Sequence, residues 1–158
     1  MSMPNDDKPV ATYAFTIPGE PVAWCRAAGT KIRHTPQKLR EWKKKVQQYA
    51  LTDKPATPHT GPIRLLVIAH YALPKSTPQW KQPLMRGGDK CTLPDVDNLA
   101  KGVMDALQGM HFENDGQVSR LMTGKGYAPG GEEPELKVRV DAFAPYPETQ
   151  EEYIGDSS

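Results

Sequence analysis

Ile63-Arg64-Leu65-Leu66-Val67-Ile68-Ala69-His70-Tyr71-Ala72-Leu73 is the most apolar run of the chain. Its β-branched and aromatic content reads as a central strand. Upstream, Thr12 to Ile17 alternates polar and apolar residues, a half-buried strand that Pro18 and Gly19 end. Pro21 to Trp24 continues in extended form, and Arg26 to Arg33, around Gly29, reads as a basic loop. Thr35-Pro36 is a cap and first-turn signature that opens a helix running to about Leu51. Leu39, Trp42, Val46 and Tyr49 form its single apolar stripe. Thr52 to Pro62, with three prolines, is a connector. Downstream, Pro74 to Leu93 is rich in Pro, Gly, Lys and Gln and reads as a flexible basic loop. Asn98 to Met110 is a second helix, with Leu99, Val103, Ala106, Leu107 and Met110 on one face. Val118 to Tyr127 and Glu135 to Phe143 are two strands joined by the turn Ala128-Pro129-Gly130-Gly131. Two helices over a mostly antiparallel sheet, an α+β domain, is the expected solution.

The chain has 158 residues, 37% of them hydrophobic, and a mean hydropathy of −0.64. That composition supports one core and many loops. Residues 1–10 read as a loose leader, 11–144 as the domain, and 145–158 as an acidic, disordered tail. No apolar run reaches the roughly 20 residues that cross a bilayer. The first ten residues lack the basic, apolar and small-residue order of a signal peptide. Cys25 and Cys91 stand far apart, in neither a disulfide framework nor a zinc pattern. Membrane, disulfide-rich secreted and wholly disordered classes are excluded, and a cytoplasmic location is expected.

The net charge of +1 conceals a strong asymmetry. Trp24 to Gln48 carries eight basic residues (Arg26, Lys31, Arg33, Lys38, Arg40, Lys43, Lys44 and Lys45) against Glu41, a net of +7. Glu132 to Ser158 carries eight acids against two bases, a net of −6. A basic stretch interleaved with Trp24, His34 and Trp42 suits a phosphate backbone, because lysine and arginine displace its condensed counterions. A solvated helix face that only confers solubility accounts for the same residues.

Acidic residues concentrate in Pro94-Asp95-Val96-Asp97-Asn98-Leu99-Ala100-Lys101, followed by Asp105 and by Asn114-Asp115-Gly116-Gln117-Val118. If the chain stays extended through Asp97, Asp95 and Asp97 project to one side. Asp97 then occupies the helix N-cap, and Lys101 emerges one turn further along the same side. Asp115 is expected to start the next strand, where a fold-back of the chain brings it to the pair. Three crowded carboxylates repel one another, and a hard divalent cation relieves them. Mg²⁺ takes oxygen ligands and is commonly held by one or two carboxylates plus substrate phosphate. Such an ion activates water and neutralises charge on a phosphodiester, and a neighbouring lysine stabilises the rest. Asp105 either pairs with Lys101 or is an ordinary exposed acid. The bland alternatives are a helix cap at Asp97 and turn residues at Glu113 and Asn114. An EF-hand fails, because Leu99 and Ala106 fall where its loop needs oxygen donors. The four histidines show no ligand spacing, and His70 reads as a satisfied, half-buried residue.

Asp95-Val96-Asp97-Asn98-Leu99-Ala100-Lys101, Asp105-Ala106-Leu107 and Asn114-Asp115-Gly116-Gln117-Val118 together resemble the signature of RusA-type Holliday junction resolvases. Ile17-Pro18-Gly19-Glu20-Pro21-Val22-Ala23, Arg26 and Thr35-Pro36 resemble the same family, so the likeness runs from about Tyr13 to about Phe143. It implies a RusA-like homodimer of α+β subunits that nicks four-way DNA junctions symmetrically, in recombination and repair. It further implies that Asp95, Asp97 and Asp115 hold Mg²⁺, with Mn²⁺ as an alternative ion, and that Lys101 is the catalytic lysine. Asn98 is expected to be structural. Asn114 departs from the family pattern, where many members carry a second acid. Its amide still offers an oxygen, with lower charge and metal affinity. Arg26, Lys31, Arg33, Lys43, Lys44 and Lys45 are the candidate DNA contacts. Two other readings stay open: a junction-binding protein without catalysis, and a nuclease for other branched DNA.

Overall fold

Val67, in the middle of the central run, pairs with Val138 on one side and Thr123 on the other. The structure is a computed structural model and describes residues 8–24 and 36–156. In chain order the elements are β1 (Ala11–Pro18), α1 (Pro36–Ala50), β2 (Ile63–Tyr71), α2 (Gln82–Met85) and α3 (Val96–Leu107). A 3₁₀ turn (Asp115–Gln117), β3 (Val118–Tyr127), β4 (Glu135–Ala142) and α4 (Gln150–Asp156) follow. The four strands form one sheet in the order β1-β4-β2-β3. β4 is antiparallel to both β1 and β2, whereas β2 and β3 run parallel, so the sheet is mixed.

Alternation makes the core. Ile63, Leu65, Val67, Ala69 and Tyr71 are buried on one face of β2, and Phe15, Ile17, Leu136, Val138 and Val140 continue that face. Trp42 and Val46 of α1 pack there with Leu99, Val103, Ala106 and Leu107 of α3, as both apolar stripes require. α1 also touches α3 directly. Among the described residues, no helix is long and apolar enough to cross a membrane.

Several expectations need correction. The turn after β3 joins strands that are not neighbours, because β4 lies between β1 and β2. The burial of the two strands agrees with this order without dictating it. β4 buries Leu136, Val138, Val140 and Ala142, as a doubly flanked strand does, while β3 carries Gly124, Gly126 and exposed Leu121 and Met122, as an edge strand does. The segment from Pro74 to Leu93 is not a free loop. It contains α2, and its end is stitched to β3 by Gly87 N–H to Tyr127 O and Tyr127 N–H to Gly88 O. Gly126 permits that approach, since a Cβ there would lie 2.8 Å from Gly88 O. The acidic tail is not structureless, because α4 forms in it. Thr149 Oγ1 accepts from Glu152 N–H at 3.2 Å, and Glu151 and Glu152 occupy the first turn, where the helix dipole favours acids. His70 Nδ1 has no hydrogen-bond partner and lies 4.0 Å from Glu135.

Candidate active site

α3 begins two residues earlier than its apolar periodicity implies, at Val96. Asp95, extended at φ −72° and ψ 142°, therefore takes the cap position, and its side chain makes no capping bond. Asp97 belongs to the first helical turn and is not the cap. Strand alternation thus does not relate the two carboxylates. They stand at the cap and the first turn of one helix end, both exposed. That end carries the positive pole of the helix dipole, which suits negative side chains. Lys101 follows Asp97 by four residues and is exposed on the same helix face. Its Nζ lies 3.6 Å from the centroid of the Trp24 ring. Trp24 N–H donates to Asn98 O at 3.1 Å, so Asn98 is structural through its carbonyl.

The chain entering Asp95 is held from the sheet. Lys125, on β3, donates from Nζ to Thr92 O at 2.6 Å and to Pro94 O at 2.7 Å. Lys90 Nζ reaches Thr92 Oγ1 at 2.7 Å and lies over the rings of Tyr71 and Tyr127. In the sequence Lys125 belongs to none of the acidic or basic motifs, and Trp24 reads only as part of a basic stretch. The cue available for Lys125 was a lone lysine between two glycines in an otherwise uncharged strand end.

Asp115 lies at the opposite end of α3. It opens the 3₁₀ turn rather than β3, and its N–H donates to Oε1 of Gln108, the residue that caps α3 at its C-terminus. From Asp97 to Gln108 the helix advances about 16 Å. β3 gives a second measure: from Val118, three residues past Asp115, to Lys125, beside Pro94, the strand spans about 23 Å. One chain therefore brings Asp95, Asp97 and Lys101 together and holds Asp115 apart. Among the described residues, no group of three or more His, Cys, Asp or Glu side chains is placed to hold a metal ion. The Asp95 and Asp97 carboxylates, hard oxygen donors open to solvent, fit the one or two protein ligands that Mg²⁺ ordinarily takes.

The turn around Asp115 is firmly built. Asn114 Oδ1 accepts from Gly116 N–H at 2.8 Å while Gln117 Oε1 accepts from Asn114 N–H at 2.8 Å, a reciprocal capping box. The Asn114 oxygen expected as a spare ligand is thus spent on the backbone. Gln117 Nε2 also donates to His59 O and Gly61 O at 2.8 and 2.9 Å. His59 N–H in turn donates to His111 O. Tyr13 Oη pairs with His59 Nε2 at 2.9 Å, and fully buried His111 hydrogen-bonds Asp53 O through Nε2. Burial lowers the pKa of both histidines, the Asp53 carbonyl partly opposing this at His111, and burial raises that of Tyr13.

On α1, Lys43 pairs with Asp105 at 2.8 Å, so Asp105 serves neither Lys101 nor solvent alone. Lys45 donates to Pro18 O and lies 5.5 Å from the Trp42 ring, and Lys44 is exposed. Arg26, Lys31 and Arg33, with the loop from Arg26 to Arg33 and Thr35, fall outside the described residues.

The family described as endodeoxyribonuclease RusA matches residues 18–148. An uncharacterized protein of Bacillus subtilis (strain 168), YqaN, is 35% identical over 136 residues, which cover 80% of this chain and 93% of the relative.

Proposed function

The chain belongs to the RusA endodeoxyribonuclease family, and from that premise we propose that it is a divalent-metal-dependent nuclease that resolves four-way DNA junctions by paired nicks. The observation that carries this reading is the head of α3, where Asp95 and Asp97 stand exposed with Lys101 one turn along. Asp95 and Asp97 are the residues that would hold Mg²⁺, or Mn²⁺ in its place. When bound, the ion supplies charge neutralisation at the phosphodiester and lowers the pKa of water. Lys101 presents a positive charge to the phosphate as negative charge develops on it. Lys125 fixes the chain at Pro94 and thereby the cap carboxylate that follows.

Asp115 joins the site from a second copy of the chain. A separation of about one helix length within a single chain supports this. A two-fold dimer then carries two such sites, matching the approximate two-fold symmetry of a four-way junction. The basic face of α1, with Lys44 exposed, and the basic residues from Arg26 to Arg33 supply non-specific phosphate contacts.

The isolation of Asp115 also favours a second reading, a junction-binding protein that does not cut. Incubating the protein with end-labelled four-way junction, in Mg²⁺ and then in EDTA, separates the two. The nuclease reading expects symmetric nicks in Mg²⁺ only, and an Asp97→Asn protein that binds the junction without cutting it. Equal cutting by Asp97→Asn and the wild type would overturn the metal assignment, and a shifted but whole junction in Mg²⁺ would favour the binder.

A further inference from the structure

An exposed lysine one turn after an aspartate on a helix has an obvious partner. With the acid N-terminal to the base at this spacing, an intrahelical ion pair is the favoured local arrangement. Lys101 does not take it: among the described residues the pair is absent, and the ammonium lies over Trp24 instead, 3.6 Å from the ring centroid. We propose that Trp24 is a positioning residue, whose indole ring holds the Lys101 ammonium off Asp97 and so leaves the Asp97 carboxylate open. The proposal rests on the reading of Asp97 as a metal ligand and Lys101 as the group facing the phosphate.

The placement of the ring is built rather than accidental. Pro21, Val22 and Ala23 before it are buried, so the chain is anchored as it arrives at Trp24. The Trp24 N–H to Asn98 O bond then ties the residue to the first turn of the same helix that carries Asp97 and Lys101. Gly102, next to Lys101, faces Trp24 across the same contact: a Cβ there would lie 3.6 Å from Trp24 N, at ordinary van der Waals distance. The ring thus lies against α3, bordering the groove that Leu39 and Trp42 line from α1.

A lysine stem is flexible and its ammonium is a compact, strongly hydrated charge. An indole face is the best aromatic surface for such a cation. It restricts the ammonium to one side of the helix without neutralising it, which an aspartate would do. The consequence is a separation of roles. Asp97 stays available to a cation, and Lys101 stays available to a phosphate.

The test combines a spectroscopic and a kinetic reading of Trp24→Leu, Trp24→Phe, Lys101→Met and the double variant Trp24→Leu/Lys101→Met. In metal-free protein, the Lys101 Cε protons are expected upfield of the other lysines through the ring current, and Trp24→Leu should return them to the common position. An unshifted Lys101 resonance in the wild type would overturn the proposal. With Mg²⁺ titrated against cleavage of a four-way junction, Trp24→Leu should lower the saturated rate about tenfold and raise the half-saturating Mg²⁺ concentration, with Trp24→Phe recovering most of both. In the Lys101→Met background the Trp24→Leu change should add nothing. Additive losses would overturn the positioning role and assign the ring to DNA or to the fold. Wild-type cutting by Trp24→Leu, beside a slow Lys101→Met, would overturn the positioning role while leaving the nuclease reading intact. A wild type that leaves the junction whole in Mg²⁺ overturns both.

Discussion

Lys125 Nζ donates to Pro94 O at 2.7 Å, joining the edge strand of the sheet to the residue before Asp95. A second bond from the same ammonium, to Thr92 O at 2.6 Å, makes the tie two-pronged. Ammonium-to-carbonyl bonds are stronger than neutral ones because the donor is charged. Lys125→Met should therefore loosen the entry to α3 and cut junction cleavage about tenfold or more, while costing the fold only about 1–2 kcal/mol. Cleavage assays beside urea denaturation check this. Wild-type cleavage by Lys125→Met would show that the tie does not position Asp95.

The distance between Asp97 and Asp115 has a sharper consequence. If each site combines Asp95 and Asp97 of one chain with Asp115 of another, Asp97→Asn and Asp115→Asn are separately inactive. Mixed and allowed to exchange chains, they form heterodimers in which one site carries both substitutions and the other carries neither. Nicking of a labelled junction should reappear in the mixture, as single rather than paired cuts. A mixture as inactive as its components, with exchange verified by mass, would place all three acids in one chain's own site.

That distance also shows where sequence reading stops. The stripe Leu39, Trp42, Val46 and Tyr49 and the alternation along β2 and β4 are local periodicities, so α1 and the core face were legible. Strand order was not, because whether β4 pairs with β2 or β3 depends on partners distant in the chain. The boundary of α3 failed locally: periodicity marks the first buried residue, Leu99, whereas the helix starts at Val96 and leaves Asp95 as its cap. Asp115 looked adjacent to the acidic pair because only a short connection follows the second helix. The helix itself, however, carries the chain about 18 Å from the pair, and the bonds from Gln117 to His59 and Gly61 hold the return segment at the far end. Trp24 on Lys101 is a contact between distant segments, which no spacing encodes.

The histidines beneath Asp115 make the turn sensitive to acid. Burial holds His59 and His111 below their ordinary 6.5, so the folded state prefers both neutral while the unfolded chain protonates near 6.5. The unfolded state therefore binds more protons below that pH, and stability, full above 6.5, declines as pH falls through the depressed folded values. Because Gln117 hangs from the His59 carbonyl, the Asp115 turn should loosen with it. Urea midpoints between pH 7.5 and 5 should fall, and His59→Gln, which keeps a partner for Tyr13, should flatten part of the slope. A midpoint constant over this range would contradict the assignment.

A second acid-sensitive element lies on the opposite side of the sheet from α1 and α3. Asp141 is buried at 3% exposure, where it accepts from Thr12 Oγ1 at 2.8 Å, Arg64 Nε at 2.9 Å and Arg139 Nε at 3.2 Å. Burial alone would raise its pKa, but the bonds from Thr12, Arg64 and Arg139 outweigh it and hold the carboxyl below its ordinary 3.8. The stabilisation from this group is thus complete above about pH 4 and is lost as pH falls through the lower folded value. Asp141→Asn keeps the shape but removes the charge that both guanidinium groups face. It should cost about 1–3 kcal/mol near neutral pH, less than a fully buried ion pair, since Arg64 and Arg139 remain partly in water. Urea denaturation of the variant and the wild type at pH 7 and pH 3 reads both effects, and the gap between them should narrow at pH 3. A gap that instead widens on acidification would mean that the Asp141 charge does not stabilise the fold.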